Sequence, residues 1–144
     1  RTAYARAMTC IFCAIVTGDL PATRIAETDH ALAFMDINPA TRGHALVIPK
    51  QHAADLMEID EGDLAHCAVL AKRIGRRALD QLGADGVNLV NSCGTAAWQT
   101  VFHFHIHVVP RYAGKDGLEL PWVPTPGDPA VIAEAAAALR EPLD

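Results

Sequence analysis

The chain has 144 residues and a formal net charge of −5, with 51% of its residues apolar and 20% charged. That length and apolar content specify one domain with its own core and exclude disorder along the whole chain. The acidic balance excludes a nucleic-acid partner, which needs clustered Lys and Arg, yet suits a small phosphate-bearing ligand held by a few N–H groups and imidazoles.

No apolar run approaches the ~18–20 residues that a membrane span requires. The N-terminal stretch has no apolar signal region, so a cytoplasmic protein with reduced cysteines is expected. Arg1–Ala7 reads as an extension ahead of Met8. The domain is expected over 8–144, its last part (112–144) being an arm and a helix.

In chain order, Cys10–Thr17 carries a CxxC and runs into "TGDLP", a turn. Arg24–Glu27 and Ala31–Asp36 read as two short strands joined as a hairpin at Thr28–His30. "INPATRG" is a loop by its Asn-Pro and Gly, and His44–Pro49 is a third strand. Then Leu64, Cys67, Leu70, Ala71, Ile74, Ala78 and Leu82 fall on one helical face. Asp60, Glu61 and Asp63 suit the start of that helix, Lys72 to Arg77 its C-terminal half and Gly83 its cap. Val87–Asn91 and Thr100–Pro110 are the fourth and fifth strands, joined by "SCGTAAWQ". A Gly- and Pro-rich arm leads to a last helix with Asp128 as N-cap and Pro129 at its first position. The fold class is α+β: a five-stranded, mainly antiparallel sheet with one long helix and a C-terminal helix. Strand order stays open, because the long helix could also join a parallel pair.

"HFHIHVVPR" carries the chemistry. Side chains alternate along a strand, so His103, His105 and His107 share one face, ~6.5–7 Å apart at Cα, and Phe104, Ile106 and Val108 share the other. Three imidazoles could hold one metal ion. Alternatively, one could attack phosphorus while a neighbour protonates the leaving group. The preceding loop "SCGTAAWQT", with its Gly, small residues and hydroxyls, suits a phosphate cradle. Cys10 and Cys13 are half of a tetrahedral metal site, with His52 and His103 as candidates to complete it. The other readings of the pair are a turn with two reduced thiols, or a redox CxxC, which lacks a following βαβ unit.

"QTVFHFHIHVVPR" and "FMDINPATRGHALVIPKQH" resemble the two half-sites of the histidine triad family of nucleotide-binding proteins, and the likeness runs from about Cys10 to Arg111. The resemblance implies that His105 is the nucleophile toward the α-phosphorus of a nucleoside phosphoramidate, ester or anhydride, forming a nucleotidyl-histidine that water hydrolyses. It implies phosphate contact and leaving-group protonation by His107, a phosphate pocket with Asn91, Gln99 and Thr100, and ribose contact by Asp36. Phe12, Phe34 and Ile37 would pack on a purine base or, alternatively, belong to the core. It also implies a structural Zn2+ on Cys10, Cys13, His52 and His103, as in bacterial-type members, and a homodimer that pairs the long helices and joins the sheets; the sequence adds an arm containing Trp122 that is expected to reach the partner. The alternatives are a dinucleoside polyphosphate hydrolase and a purine-nucleotide binding module with little catalysis. Two departures from the pattern stand out. Trp98 occupies a position where the family has a small residue, so its ring is expected to narrow or cover the pocket. Ser92 and Cys93 stand where Asn is common. His30, His44 and His66 fit no site and read as surface or core residues.

Overall fold

A computed structural model describes residues 9–140 and 142. The expected extension, Arg1–Ala7, lies outside them. Among the described residues, α1 (Ile11–Thr17), β1 (Arg24–Glu27), β2 (Ala31–Met35), β3 (Ala45–Pro49), α2 (Glu61–Leu82), β4 (Gly86–Val90), β5 (Ile106–Arg111) and α3 (Pro129–Leu139) follow one another. No helix among the described residues is long and apolar enough to cross a membrane.

The sheet order is β1-β2-β3-β5-β4, and every neighbouring pair is antiparallel. β3 and β4 therefore run parallel, but they do not touch. The helix between them carries the chain across, and β5 fills the gap. One face of the sheet packs on α2, with Ala31, Ala33, Val47 and Val108 against Leu70, Ala71 and Ile74. The alternate residues Leu32, Phe34, Leu46 and Ile48 pack on Phe12 and Ile15 of α1. The histidine face thus has a cover that the sequence pattern does not announce.

Caps set the helix ends. Asp60 accepts from the Asp63 N–H at the start of α2, and Gly83 closes it in the left-handed conformation. Its cations, Lys72 to Arg77, lie in its C-terminal half as expected, although the last turn itself holds no basic residue. α1 was not expected at all. Its N-cap is Cys10, whose Sγ accepts from the Cys13 N–H, so a pair that reads as a metal motif or a turn also opens a helix. In α3, Asp128 and Pro129 take the expected cap and first positions, but no residue of that helix is buried.

The fifth strand is shorter than the expected Thr100–Pro110. Residues 100–105 leave the ladder because other groups take their hydrogen bonds. The Phe104 N–H donates to the Ala53 carbonyl, and the His105 carbonyl accepts from the Asn91 amide. On the neighbouring strand Pro49 has no N–H to offer. His103 and His105 consequently sit on irregular backbone, and only His107 sits in the strand, paired with Leu46.

Candidate functional site

Two clusters share the face covered by α1. The first joins Cys10 and Cys13 at the start of α1, His52 just past β3, and His103 just before β5. Cys10 Sγ lies 3.4 Å from His103 Nδ1, and Cys13 Sγ lies 3.2 Å from His52 Nδ1 and 3.5 Å from His103 Nδ1. The two Nδ1 atoms are 3.2 Å apart. Donors at ~2.3 Å (S) and ~2.0–2.1 Å (N) from a tetrahedral ion would be ~3.3–3.6 Å apart for the N–N and S–N pairs, close to this spacing. The tautomer agrees. His103 Nε2 is 2.9 Å from the Pro49 carbonyl, which can only accept, so the proton sits there and the Nδ1 lone pair faces the thiols. Burial holds this imidazole down at about 4, with His52 and His105 acting in the same direction and the Pro49 contact opposing. A neutral ring offered to two thiols is the donor set of a closed structural metal site.

The second cluster lines a cavity of about 440 Å³. Its inner walls are apolar, with Phe12, Ile15, Phe34 and Leu46, and its polar side is His105, His107, Asp36 and Thr100. His105 is buried, with its ring on the edge of Phe12 at 5.3 Å between centroids. Its Nδ1 donates to the His103 carbonyl at 2.8 Å, leaving the lone pair on Nε2. The rings of His105 and His107 are 5.0 Å apart.

A fourth histidine sets the state of His107. The Ala40 N–H donates to His44 Nδ1 at 3.0 Å, so a neutral His44 carries its proton on Nε2. That Nε2 lies 2.9 Å from His107 Nδ1 and donates to it, so His107 carries its own proton on Nε2. The two triad imidazoles are thereby set in opposite states, one presenting a lone pair and the next an N–H. Asp36 Oδ2 stands 3.5 Å from His44 Nε2 and 3.9 Å from His107 Nδ1, a ready acceptor should His107 become cationic. Gly43, just before His44, lies tight against the end of α2. It has φ 88°, and a Cβ there would collide with Leu82.

His44 was read as belonging to no site, and the structure corrects this. The signal was present, since alternation along β3 puts residue 44 on the face of Leu46, but its partner appears only once β3 is paired with β5. His30 and His66 stack on each other at 4.2 Å, away from both clusters. The idea of one ion shared by the three triad histidines fails, because His103 turns to the cysteines, His105 to a carbonyl and His107 to His44.

The other expected residues divide between the wall and its support. Phe12, Phe34, Asp36, Ile37 and Thr100 are on the cavity lining, with Ile37 almost wholly exposed at the rim. Gln99 and Asn91 are not. The Gln99 amide is buried behind the loop, accepting from the Gly94 N–H and donating to the Ala54 and Val101 carbonyls. Asn91 holds the His105 carbonyl. Both hold the backbone that leads into and carries the histidines. Trp98 does not cover the pocket, because its backbone turns the ring out to solvent.

Burial lowers the His44 pKa, with Asp36 opposing, and brings His107 down to about 4, with His105 and His44 adding to the fall and Asp36 opposing it. A folded-state value below the unfolded 6.5 means that the unfolded chain binds more protons between the two. The stability from this burial is therefore complete above pH ~6.5 and is lost as pH falls toward 4. For His107 the loss should be about 2 kcal/mol by pH 5. Thermal melts of wild type and His107→Asn at pH 7 and pH 5 check it: the wild type should lose more of its melting temperature than the variant, and equal losses would refute it.

Comparison with known proteins agrees with this geometry. The HIT domain family model matches residues 17–114, a span that includes His52 and the triad but starts after the two cysteines. An adenosine 5′-monophosphoramidase of Schizosaccharomyces pombe is 40% identical over 125 residues, 87% of this chain and 91% of that protein. Among solved structures, a Zn-bound histidine triad family protein from Mycobacterium smegmatis is 43% identical, with a TM-score of 0.76 over 92% of this chain and 99% of that one. A Streptococcus mutans protein is 37% identical with a TM-score of 0.85, covering 91% and 83%.

Proposed function

Because the chain belongs to the HIT domain family, we propose that it is a nucleotide-binding hydrolase that cleaves nucleoside phosphoramidates or related nucleotide esters at the α-phosphate. The observation that carries this reading is the pair of opposed tautomers on the cavity wall. His105 Nε2 attacks the α-phosphorus, forming a P–N bond as the bond to the leaving amine breaks. His107 supplies the proton that the amine takes away. An anionic substrate beside His107 offsets the burial that keeps it neutral, and the Asp36 carboxylate, 3.9 Å away, stabilises the cationic form by its charge. Water then attacks phosphorus and gives a proton to His107, and the electron pair returns to His105. The apolar walls of Phe12 and Phe34 take the purine base, and the Asp36 lone pairs not used by the Asn38 N–H accept from ribose hydroxyls. The relative named a monophosphoramidase supports this choice over a dinucleoside polyphosphate substrate.

Cys10, Cys13, His52 and His103 would hold Zn2+. With four protein ligands the ion supplies a cross-link and leaves no open position for chemistry. A second copy of the chain is the proposed partner, reached through the exposed arm around Trp122 and the uncovered α3.

The test is intact-mass measurement after brief mixing with adenosine 5′-phosphoramidate and an alkaline quench. One added nucleotidyl group is expected. No adduct together with no release of nucleoside monophosphate would overturn the proposal. His44→Ala should lower kcat/KM on this substrate ~10–100-fold, with nucleotide affinity nearly kept, since it frees the His107 tautomer and not the binding wall. Steady-state kinetics beside calorimetry of AMP binding check this; an unchanged kcat/KM would remove His44 from the mechanism.

A further inference from the structure

The loop that feeds the site carries a cost with no return to the fold. Trp98 is the one residue other than glycine with positive φ among the described residues, at φ 72° and ψ 21°. Glycine adopts that conformation freely, whereas a Cβ-bearing residue is strained in it. Its neighbours impose it. The Trp98 N–H donates to the Thr95 carbonyl at 3.0 Å, the Gln99 N–H to the Gly94 carbonyl at 3.1 Å, and the Gln99 side chain ties back to Gly94. The indole gains nothing in exchange. It is 76% exposed and makes no hydrogen bond or ring contact with another described residue. Strain of this kind persists where a site is being shaped.

Two positions further on, Thr100 lines the cavity beside His105 and His107. Two residues span at most ~7 Å, so Trp98 stands within an indole's length of the rim on this side, and rotation of its solvent-facing side chain brings the ring to that rim. A base packed on Phe12 and Phe34 fills the apolar end. The group displaced from phosphorus has to depart elsewhere, past the loop. We propose that Trp98 is a specificity-determining residue whose indole stacks on an aromatic leaving group of the substrate. The inference rests on the hydrolase reading above and adds the class of leaving group.

The test measures binding without turnover. His105→Ala protein is titrated by calorimetry with the N-benzyl and N-methyl phosphoramidates of adenosine 5′-monophosphate, with and without Trp98→Gly. With Trp98 present the benzyl compound should bind about tenfold tighter than the methyl one, the size of one base–aromatic stack, and the ratio should fall toward one in Trp98→Gly. Glycine suits the φ at this position, so the variant should fold; Trp98→Phe, with a smaller ring in the same place, should keep most of the preference. Equal ratios with and without the indole would overturn this inference alone. No binding of either compound to any form would remove the nucleotide reading, and this one with it.

Discussion

His105→Ala should reduce turnover of adenosine 5′-phosphoramidate by at least about a thousandfold, abolish the nucleotidyl adduct, and leave AMP affinity within a few-fold. The size follows from the role. A nucleophile that forms a bond to phosphorus acts only at the reacting centre, so its loss appears in kcat and not in ground-state binding. Affinity is held by other groups, the apolar wall of Phe12 and Phe34 and the polar atoms of Asp36 and Thr100. Folding should survive, because the ring's one recorded hydrogen bond is to the His103 carbonyl and its packing partner Phe12 keeps its own contacts with Phe34 and His103. Rapid-quench kinetics with mass detection decides the matter. A variant that still forms the adduct would place the nucleophile elsewhere, and one that loses adduct and nucleotide binding together would make His105 a binding residue.

Removing zinc should cost several kcal/mol, a fall in melting temperature on the order of 10–20 °C. The four donors come from three separated parts of the chain: α1, the turn after β3 and the approach to β5. An ion among them closes long loops at once. It also offsets the cost of burying Cys13 and His103 and half-burying Cys10 and His52. Activity should fall with it, because the His103 carbonyl orients His105. Scanning calorimetry with atomic absorption, on native protein, chelated protein and Cys13→Ser, provides the check. Zinc returned to the chelated protein should restore both the melting temperature and the activity; the Cys13→Ser variant should not recover. A chelated protein that melts with the native one would refute a structural metal.

The cap residues, the helical face of Cys67, Leu70 and Ile74, and the hairpin at Thr28–His30 were legible because each depends on neighbours within one turn of helix or one hairpin. α1 was hidden because Cys10 is an uncommon N-cap. His44 was hidden for another reason: its meaning lies in a partner 63 positions away. Gln99 and Asn91 were expected at the phosphate pocket from the family resemblance, yet their amides satisfy backbone groups, a demand that arises only when residues 100–105 leave the ladder.

By itself the sequence determined the five strands and the two later helices, set the three histidines at alternate positions and placed the cysteines three residues apart. These are properties of local backbone geometry. Tertiary structure alone decided that β5 lies between β3 and β4. That insertion brings His103 to His52 and His107 to His44, so three similar imidazoles acquire three separate tasks. The physical reason is that a ring's role follows from which nitrogen holds its proton. The acceptors and donors that settle this, the Pro49 carbonyl, the His103 carbonyl and the Ala40 N–H relayed by His44, are placed by long-range strand pairing and burial, which no local period encodes.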